Sequence, residues 1–320
     1  MVKRGSDSYE DWYGFYLDRL RLMKRLVIGC GYLGRRVADH WVTAGDTVFA
    51  LTRDPARADT FERDGILPFV ADIHDVSSLA GLPEVDTVLY AVGFDRTGGQ
   101  TIRDVFIGGL RNILSQLPAP RGRFIYISST GTYGQDDGQW VDEESPCHPV
   151  REGGKACLDA ENLLLQEDPG FDSCRLRLAG IYGPGRIPRR EDLQAGKVIP
   201  ASPTAWLNLI HVDDAARVVI AAADADSLPD LLLVSDGSPL SRDDYFKELC
   251  RQLDAPAANF GDPETDSPSA QRALGNKRVS NQAMLQALAL QLDYPDFRSG
   301  LAAILSDDEK ATVEDDGNQS

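Results

Sequence analysis

The segment Val27-Ile28-Gly29-Cys30-Gly31-Tyr32-Leu33-Gly34 sets three glycines in a GxGxxG pattern at the end of an apolar run. Its context restricts what the chain can fold into. Lys24-Arg25-Leu26-Val27-Ile28 reads as a strand entering the glycines. Leu33, Val37, Ala38 and Trp41 then fall at i, i+4, i+5 and i+8, one face of a helix that stops at Ala44-Gly45-Asp46. Gly29 permits a tight turn, Gly31 lets the backbone approach a pyrophosphate, and Gly34 lets helix and strand pack closely. The free N–H groups and positive dipole end of the helix would face the phosphates, with Tyr32 and Leu33 in the same segment.

The pattern continues downstream. Thr47–Thr52, Leu67–Ala71, Asp86–Val92, Arg123–Ser129 and Ser173–Ala179 read as buried strands, separated by helical spacings such as Ala156, Ala160, Leu163 and Leu164. Strict alternation implies right-handed βαβ units, hence an α/β fold of Rossmann type with a doubly wound parallel sheet. The expected division is an N-terminal extension over 1–22, a dinucleotide-binding domain over 23–180 and a smaller substrate-binding region over 181–305. Leu231–Val234 is expected to return as a strand to the sheet. Residues 306–320 are expected to form a disordered acidic tail, because Asp307–Asp316 holds six acids and one lysine. Met23 stands where the fold begins. The extension is open to a second reading, a helix carrying Trp12, Phe15 and Tyr16.

Charge narrows the partners. Thirty-three basic residues against 50 acids give −17, which disfavours a grip on nucleic acid. No apolar stretch approaches the roughly 20 residues needed to span a bilayer, and the first 22 residues lack the apolar centre of a secretory leader. Five cysteines at irregular spacing, without a CxxC pair, fit reduced thiols in a cytoplasmic protein. The four histidines are scattered and the acid pairs Asp136-Asp137 and Asp213-Asp214 lack ligand spacing, so no metal is expected. Cys30, inside the glycine loop, reads as a small buried residue before a redox sensor.

The end of the second strand bears on the choice of dinucleotide. An acid there binds a ribose 2′-hydroxyl, whereas Ala50-Leu51-Thr52-Arg53-Asp54 puts Thr52 and Arg53 at that place. An arginine can pair a 2′-phosphate through two hydrogen bonds, which favours NADP. NAD stays the alternative, since a shifted register brings in Asp54.

Further along, Ile127-Ser128-Ser129-Thr130-Gly131-Thr132-Tyr133-Gly134 resembles the SSxxVYG segment of extended short-chain dehydrogenases/reductases, the NAD-dependent epimerases and dehydratases. Other stretches agree in order. Asp72-Ile73 resembles the acid that caps the adenine, and Ala91-Val92-Gly93 the loop beneath the cofactor. Glu143-Glu144-Ser145-Pro146 resembles the turn before the active-site helix, and Arg177–Gly185 the sixth strand, whose Pro184 borders the nicotinamide. Asn208-Leu209-Ile210-His211-Val212-Asp213-Asp214 is similar to the IHVDD signature, and Lys277-Arg278, Tyr294-Pro295 and Gly300-Leu301 to the closing pattern. The resemblance covers about residues 24–305. It implies nicotinamide-dinucleotide chemistry on a small or nucleotide-linked substrate, with Asn208 as a substrate contact. Arg186, with Arg189 and Arg190 on a Pro-rich loop, reads either as a grip on a substrate diphosphate or as a solvated surface. A homodimer built from helices near 101–117 and 155–167 is implied too.

One departure bears on the chemistry. The family opens its catalytic helix with Tyr-x-x-x-Lys. Lys155 matches the lysine, and so the candidate to hold the nicotinamide ribose, but Arg151 stands at the tyrosine position. A guanidinium stays protonated and cannot be that acid–base. Ser129 matches the hydroxyl that binds a substrate carbonyl. Tyr133, His148 and Lys155 itself are the replacements to weigh as proton donor. A Ser129–His211–Asp213 triad can be drawn, but His211 lies in a stretch that packs structurally. Arg151 facing the nicotinamide end would attract a carboxylate or phosphate. Facing outward, it would pair with Glu144 or Glu152. An oxidoreductase or epimerase-like enzyme is the leading expectation, and a non-catalytic dinucleotide sensor or scaffold is the alternative.

Overall fold

The computed structural model describes residues 22–118, 122–167, 172–261 and 275–317, with side chains to Asp307. Seven parallel strands form its sheet: β1 (Lys24–Ile28), β2 (Thr47–Thr52), β3 (Leu67–Val70), β4 (Thr87–Tyr90), β5 (Arg123–Ser129), β6 (Asp172–Leu178) and β7 (Leu231–Val234). Their order is β7-β6-β5-β4-β1-β2-β3, so the winding reverses between β1 and β4.

Alternate residues of β1 serve opposite faces, as the period of a strand requires. Val27 packs with Val37 and Trp41 of α1 (Tyr32–Thr43). Leu26 and Ile28 pack on the other face, where α3 (Gly109–Gln116) and α4 (Glu152–Glu167) contribute Leu110, Ile113 and Leu164. Both faces of the sheet are therefore covered, which explains the near-continuous apolar runs of its inner strands. Leu67–Val70 departs from the buried strand expected of it: β3 is the outermost strand, and Leu67 and Val70 are exposed. Helix α2 (Pro55–Arg63) starts on the Asp54 side chain, which accepts a hydrogen bond from the Ala56 N–H, and its first residue is proline.

Beyond residue 180 the chain still builds the sheet layer. β7 pairs in parallel with β6, Leu232 beside Leu176, so the strand expected at 231–234 does return to the sheet. In the layer on Val27, Val218 comes from α6 (Val212–Asp224) and Met284 from α8 (Gln282–Leu288). A separate cluster of Tyr182, Tyr245, Phe246 and Phe297 holds α7 (Arg242–Leu253) against α9 (Phe297–Gly317). The short helix α5 (Arg190–Gln194) adds Leu193 to that cluster. The backbone stays helical to Gly317, along the stretch expected from sequence to be a tail. The extension over 1–21 lies outside the described residues, as do the side chains beyond Asp307.

Candidate functional site

The glycine turn sits where the winding of the sheet reverses, the place where open α/β sheets bind ligands. Gly29 has φ +93°, and a side-chain carbon on it would lie 2.5 Å from the Ala91 backbone. That approach lets the Ala91 N–H donate to the Ile28 carbonyl at 2.7 Å, closing β4 on β1. A carbon on Gly34 would lie 2.4 Å from the Gly29 carbonyl oxygen. Gly31 differs: nothing lies within 4 Å of the position its side chain would take. It opens α1, whose first turn holds no acid, whereas α6 and α7 each carry two. Gly31, Tyr32 and Leu33 of that N-terminus line open cavity, as an anion site at a helix N-terminus requires.

Two cavities meet at Gly31 and Ala91–Gly93, one of about 420 Å³ and one of about 630 Å³. The first runs past Thr52, Arg53, Asp72 and Ile73. Arg53 is 59% exposed and reaches only to 3.8 Å from Asp95 Oδ2, a weak surface pair that leaves its guanidinium free to turn. Asp54 is committed to capping α2. The Asp72 carboxylate accepts from the His74 N–H. Arg57, which the sequence reading missed, lines the same rim and donates to the Cys30 carbonyl at 2.7 Å. The signal was available: Asp54-Pro55 starts a helix and sets Arg57 in its first turn. Cys30 is buried, its thiol pushed up to about 11, which does not suit a redox sensor.

The second cavity contains Ser129, Arg151, Cys157 and Lys277, with Tyr32, Leu33 and Asn208. Gly131 leaves room between two of them: a carbon on it would lie 3.1 Å from Arg151 Nη2 and 3.2 Å from Ser129 Oγ. Arg151 thus faces Ser129, not the surface, and Glu152 pairs instead with Lys155 at 2.9 Å. Lys155 does not line the cavity. Its side chain is 47% exposed, because the inward face of α4 runs through Gly154, Cys157 and Glu161. Two residues on a helix are about 200° apart, so Cys157 inward puts Lys155 outward. The placement keeps Lys155 off the wall of the cavity that holds Ser129. Cys157 is inert by burial, its thiol pushed up to about 12.

Tyr133 is no free acid either. Its hydroxyl accepts from Arg177 at 2.7 Å and donates to the Asp142 carbonyl at 2.8 Å, and burial raises its pKa. Asn208 lines the cavity, but its amide donates to the Lys277 carbonyl and accepts from the Val279 N–H. It positions the segment Lys277–Val279. Arg186 stacks over the Tyr32 ring at 5.3 Å, and the Tyr32 hydroxyl donates to the Pro184 carbonyl. Arg186 and Arg242 also line an adjoining cavity of about 1080 Å³. His148 lies off the second cavity, with Gly134 against its carbonyl. His211 packs on Tyr182 and Tyr294, apart from Ser129. Among the described residues no cluster of three or more His, Cys, Asp or Glu side chains could hold a metal, and no helix is long and apolar enough to cross a membrane.

A strand–glycine turn–helix at the crevice of a doubly wound sheet defines a Rossmann-type dinucleotide-binding protein. The model of the NAD dependent epimerase/dehydratase family matches residues 25–231, and the chain belongs to that family. It is similar to protein YeeZ of Escherichia coli K12, 24% identical over 281 residues that cover 86% of this chain and 97% of that one. A Methylobacillus flagellatus protein, described only provisionally as an NAD-dependent epimerase/dehydratase, is 30% identical with a TM-score of 0.71, covering 90% of this chain and all of that one. The fold also matches UDP-glucose 4-epimerase of Thermotoga maritima, solved with UDP-glucose, at 17% identity and a TM-score of 0.74 over 91% of this chain and 100% of that one. MoeE5, solved with UDP-glucose and NAD, matches at 19% and 0.70 over 90% and 99%.

Proposed function

We propose that this protein binds a nicotinamide dinucleotide along the β1–β4 crevice, NADP in preference to NAD, and acts as an oxidoreductase or epimerase-like enzyme on a small or nucleotide-linked substrate. The observation that carries the reading is the open face of Gly31 at an acid-free helix N-terminus, continuous with a cavity that ends at Ser129. The residues fit the group: Gly29, Gly31 and Gly34 leave backbone for a pyrophosphate, Arg53 and Arg57 offer cations to a 2′-phosphate, and Asp72 and Ile73 line the adenosine end. A bound nicotinamide supplies hydride transfer. The chain supplies Ser129 to hold a substrate oxygen and Arg186 to meet a charged substrate tail. Calorimetric titration with NADPH and NADH tests the reading, and saturable binding of neither would end it.

A second reading, a dinucleotide sensor or scaffold without turnover, is favoured by Arg151 at the tyrosine position and by Lys155 turned to Glu152. Screening with nucleotide sugars and small carbonyls separates the two. Dinucleotide-linked turnover that is lost in Ser129→Ala would exclude the sensor.

A further inference from the structure

Three buried arginines of this protein, Arg25, Arg123 and Arg177, each hold a carboxylate. Arg25 pairs with Asp46 and Asp224, Arg123 with Asp172, and Arg177 with Glu161. The half-buried Arg151 and the buried Lys277 differ. Lys277 is only 9% exposed, and its ammonium donates to the Tyr133 carbonyl at 3.0 Å. Among the described residues neither cation has an acidic partner, and no carboxylate lines the cavity into which both open. Acids outnumber bases 50 to 33 in the chain, so an acid-free cavity wall is not a matter of composition. Two like charges drawn close and partly out of water, without a counter-charge, cost stability.

The cradle is also built to stay in place. Asn208 clamps the segment Lys277–Val279 by bonds of 2.9 Å to the Lys277 carbonyl and 2.8 Å from the Val279 N–H. Arg151 is held where α4 meets the Thr130–Thr132 turn: a carbon on Gly154 would overlap the Gly131 carbonyl oxygen, so only glycine allows the approach.

We propose that Arg151 and Lys277 form a two-cation cradle that binds an oxyanion of the substrate, a carboxylate or a phosphate, at the Ser129 end of the cavity. This deepens the functional reading above by giving the substrate its charge, and rests on that reading for the substrate itself. The guanidinium offers two parallel donors to an oxyanion and the ammonium a compact charge. Desolvation, then the field of Arg151, bring the Lys277 amine down to about 8, so the cradle holds its second charge only below that pH. Among the described residues, the other charged groups lining the cavity with Lys277 are the guanidiniums of Arg151, Arg186 and Arg242. Burial moves the Cys157 thiol and the Tyr133 phenol upward, out of range.

The test is calorimetric titration of the full-length protein, saturated with NADP, with oxalate and with inorganic phosphate. Oxalate should bind roughly tenfold or more weakly at about pH 10 than at about pH 7, as Lys277 loses its proton. Lys277→Met should bind weakly at both, and Arg151→Gln weakly but still with the pH dependence. Should Lys277→Met fail to fold, Lys277→Arg serves: it should bind at neutral pH and lose the pH dependence. Tighter oxalate assigns a carboxylate substrate, and tighter phosphate a phosphorylated one. Binding of neither anion, binding equal at both pH values, or wild-type affinity in folded Lys277→Met would overturn the cradle. NADPH titrated into the same samples keeps the two readings apart. A protein that binds no dinucleotide but shows Lys277-dependent oxalate binding would overturn the functional reading and leave the cradle standing.

Discussion

Arg177 on β6 and Glu161 on α4 meet as a buried two-pronged pair, Nε to Oε1 at 2.9 Å and Nη2 to Oε2 at 2.6 Å. Ser128 donates to the same carboxylate, and the arginine's third contact is the Tyr133 hydroxyl. The network joins β5, β6 and α4 directly beneath the cavity. It explains why Tyr133 stands in its motif: the phenol ties the turn that follows Ser129 to Arg177 and Asp142, and it does not line the cavity.

Glu161→Ala should therefore cost about 3–5 kcal/mol, the loss expected when one half of a buried pair is left uncompensated. Denaturant melts measure it. The double variant Glu161→Leu with Arg177→Met should recover part of that loss, because no charge then remains buried. Equal stability of the single variant and wild type would contradict the pairing.

The three glycines of the turn should respond differently. Gly31→Ala should melt as wild type, since its side chain meets open space, yet weaken NADPH binding by occupying the phosphate approach. Gly34→Ala should lose stability, because its added carbon meets the Gly29 carbonyl oxygen at 2.4 Å. Melting curves beside NADPH titrations show the contrast.

On dinucleotide choice, Arg53→Ala should lower NADPH affinity by about 10- to 150-fold, the equivalent of a lost charge-assisted bond of roughly 1.5–3 kcal/mol, and leave NADH nearly unchanged. Asp54→Ala should cost about 1 kcal/mol of stability through the lost helix cap, without reversing the preference. A preference for NADH that disappears in Asp54→Ala would instead assign Asp54 to the ribose.

Asp236, just past β7, should make stability fall with rising pH. Burial lifts its carboxyl to about 8, and its Oδ2 has no hydrogen-bond partner while Oδ1 accepts from the Ser238 N–H. A folded-state pKa above the unfolded one gives stability that is complete below the unfolded value, near 4, and lost as pH rises toward 8. Asp236→Asn, which stays neutral, should flatten that dependence. Urea melts from about pH 5 to pH 9 read the slope, and a wild-type profile as flat as the variant's would refute the assignment.

Much of the fold was legible in the chain. Residues 24–43 identified the first strand, the glycine turn and its helix because the signals are local: a run of apolar residues, glycines where a side chain would collide, and a 3.6-residue apolar repeat. Leu231–Val234 was legible as a strand for the same reason. The edge position of β3 was not, since Leu67–Val70 is apolar enough for either an inner or an outer strand.

The site divides along the same line. Local sequence determined the phosphate turn, the place of Arg53 and Ser129, and the presence of an arginine where the family has its tyrosine. Only the tertiary structure decided which way α4 is rotated, and so that Cys157 opens to the cavity while Lys155 turns to Glu152, and it set Arg151, just ahead of the helix, against the same cavity. It alone brought Lys277 to the carbonyl of Tyr133, 144 residues earlier. The physical reason is that a helix can present any face until packing fixes it. Two charges distant in the chain acquire a common function only when burial removes the water between them.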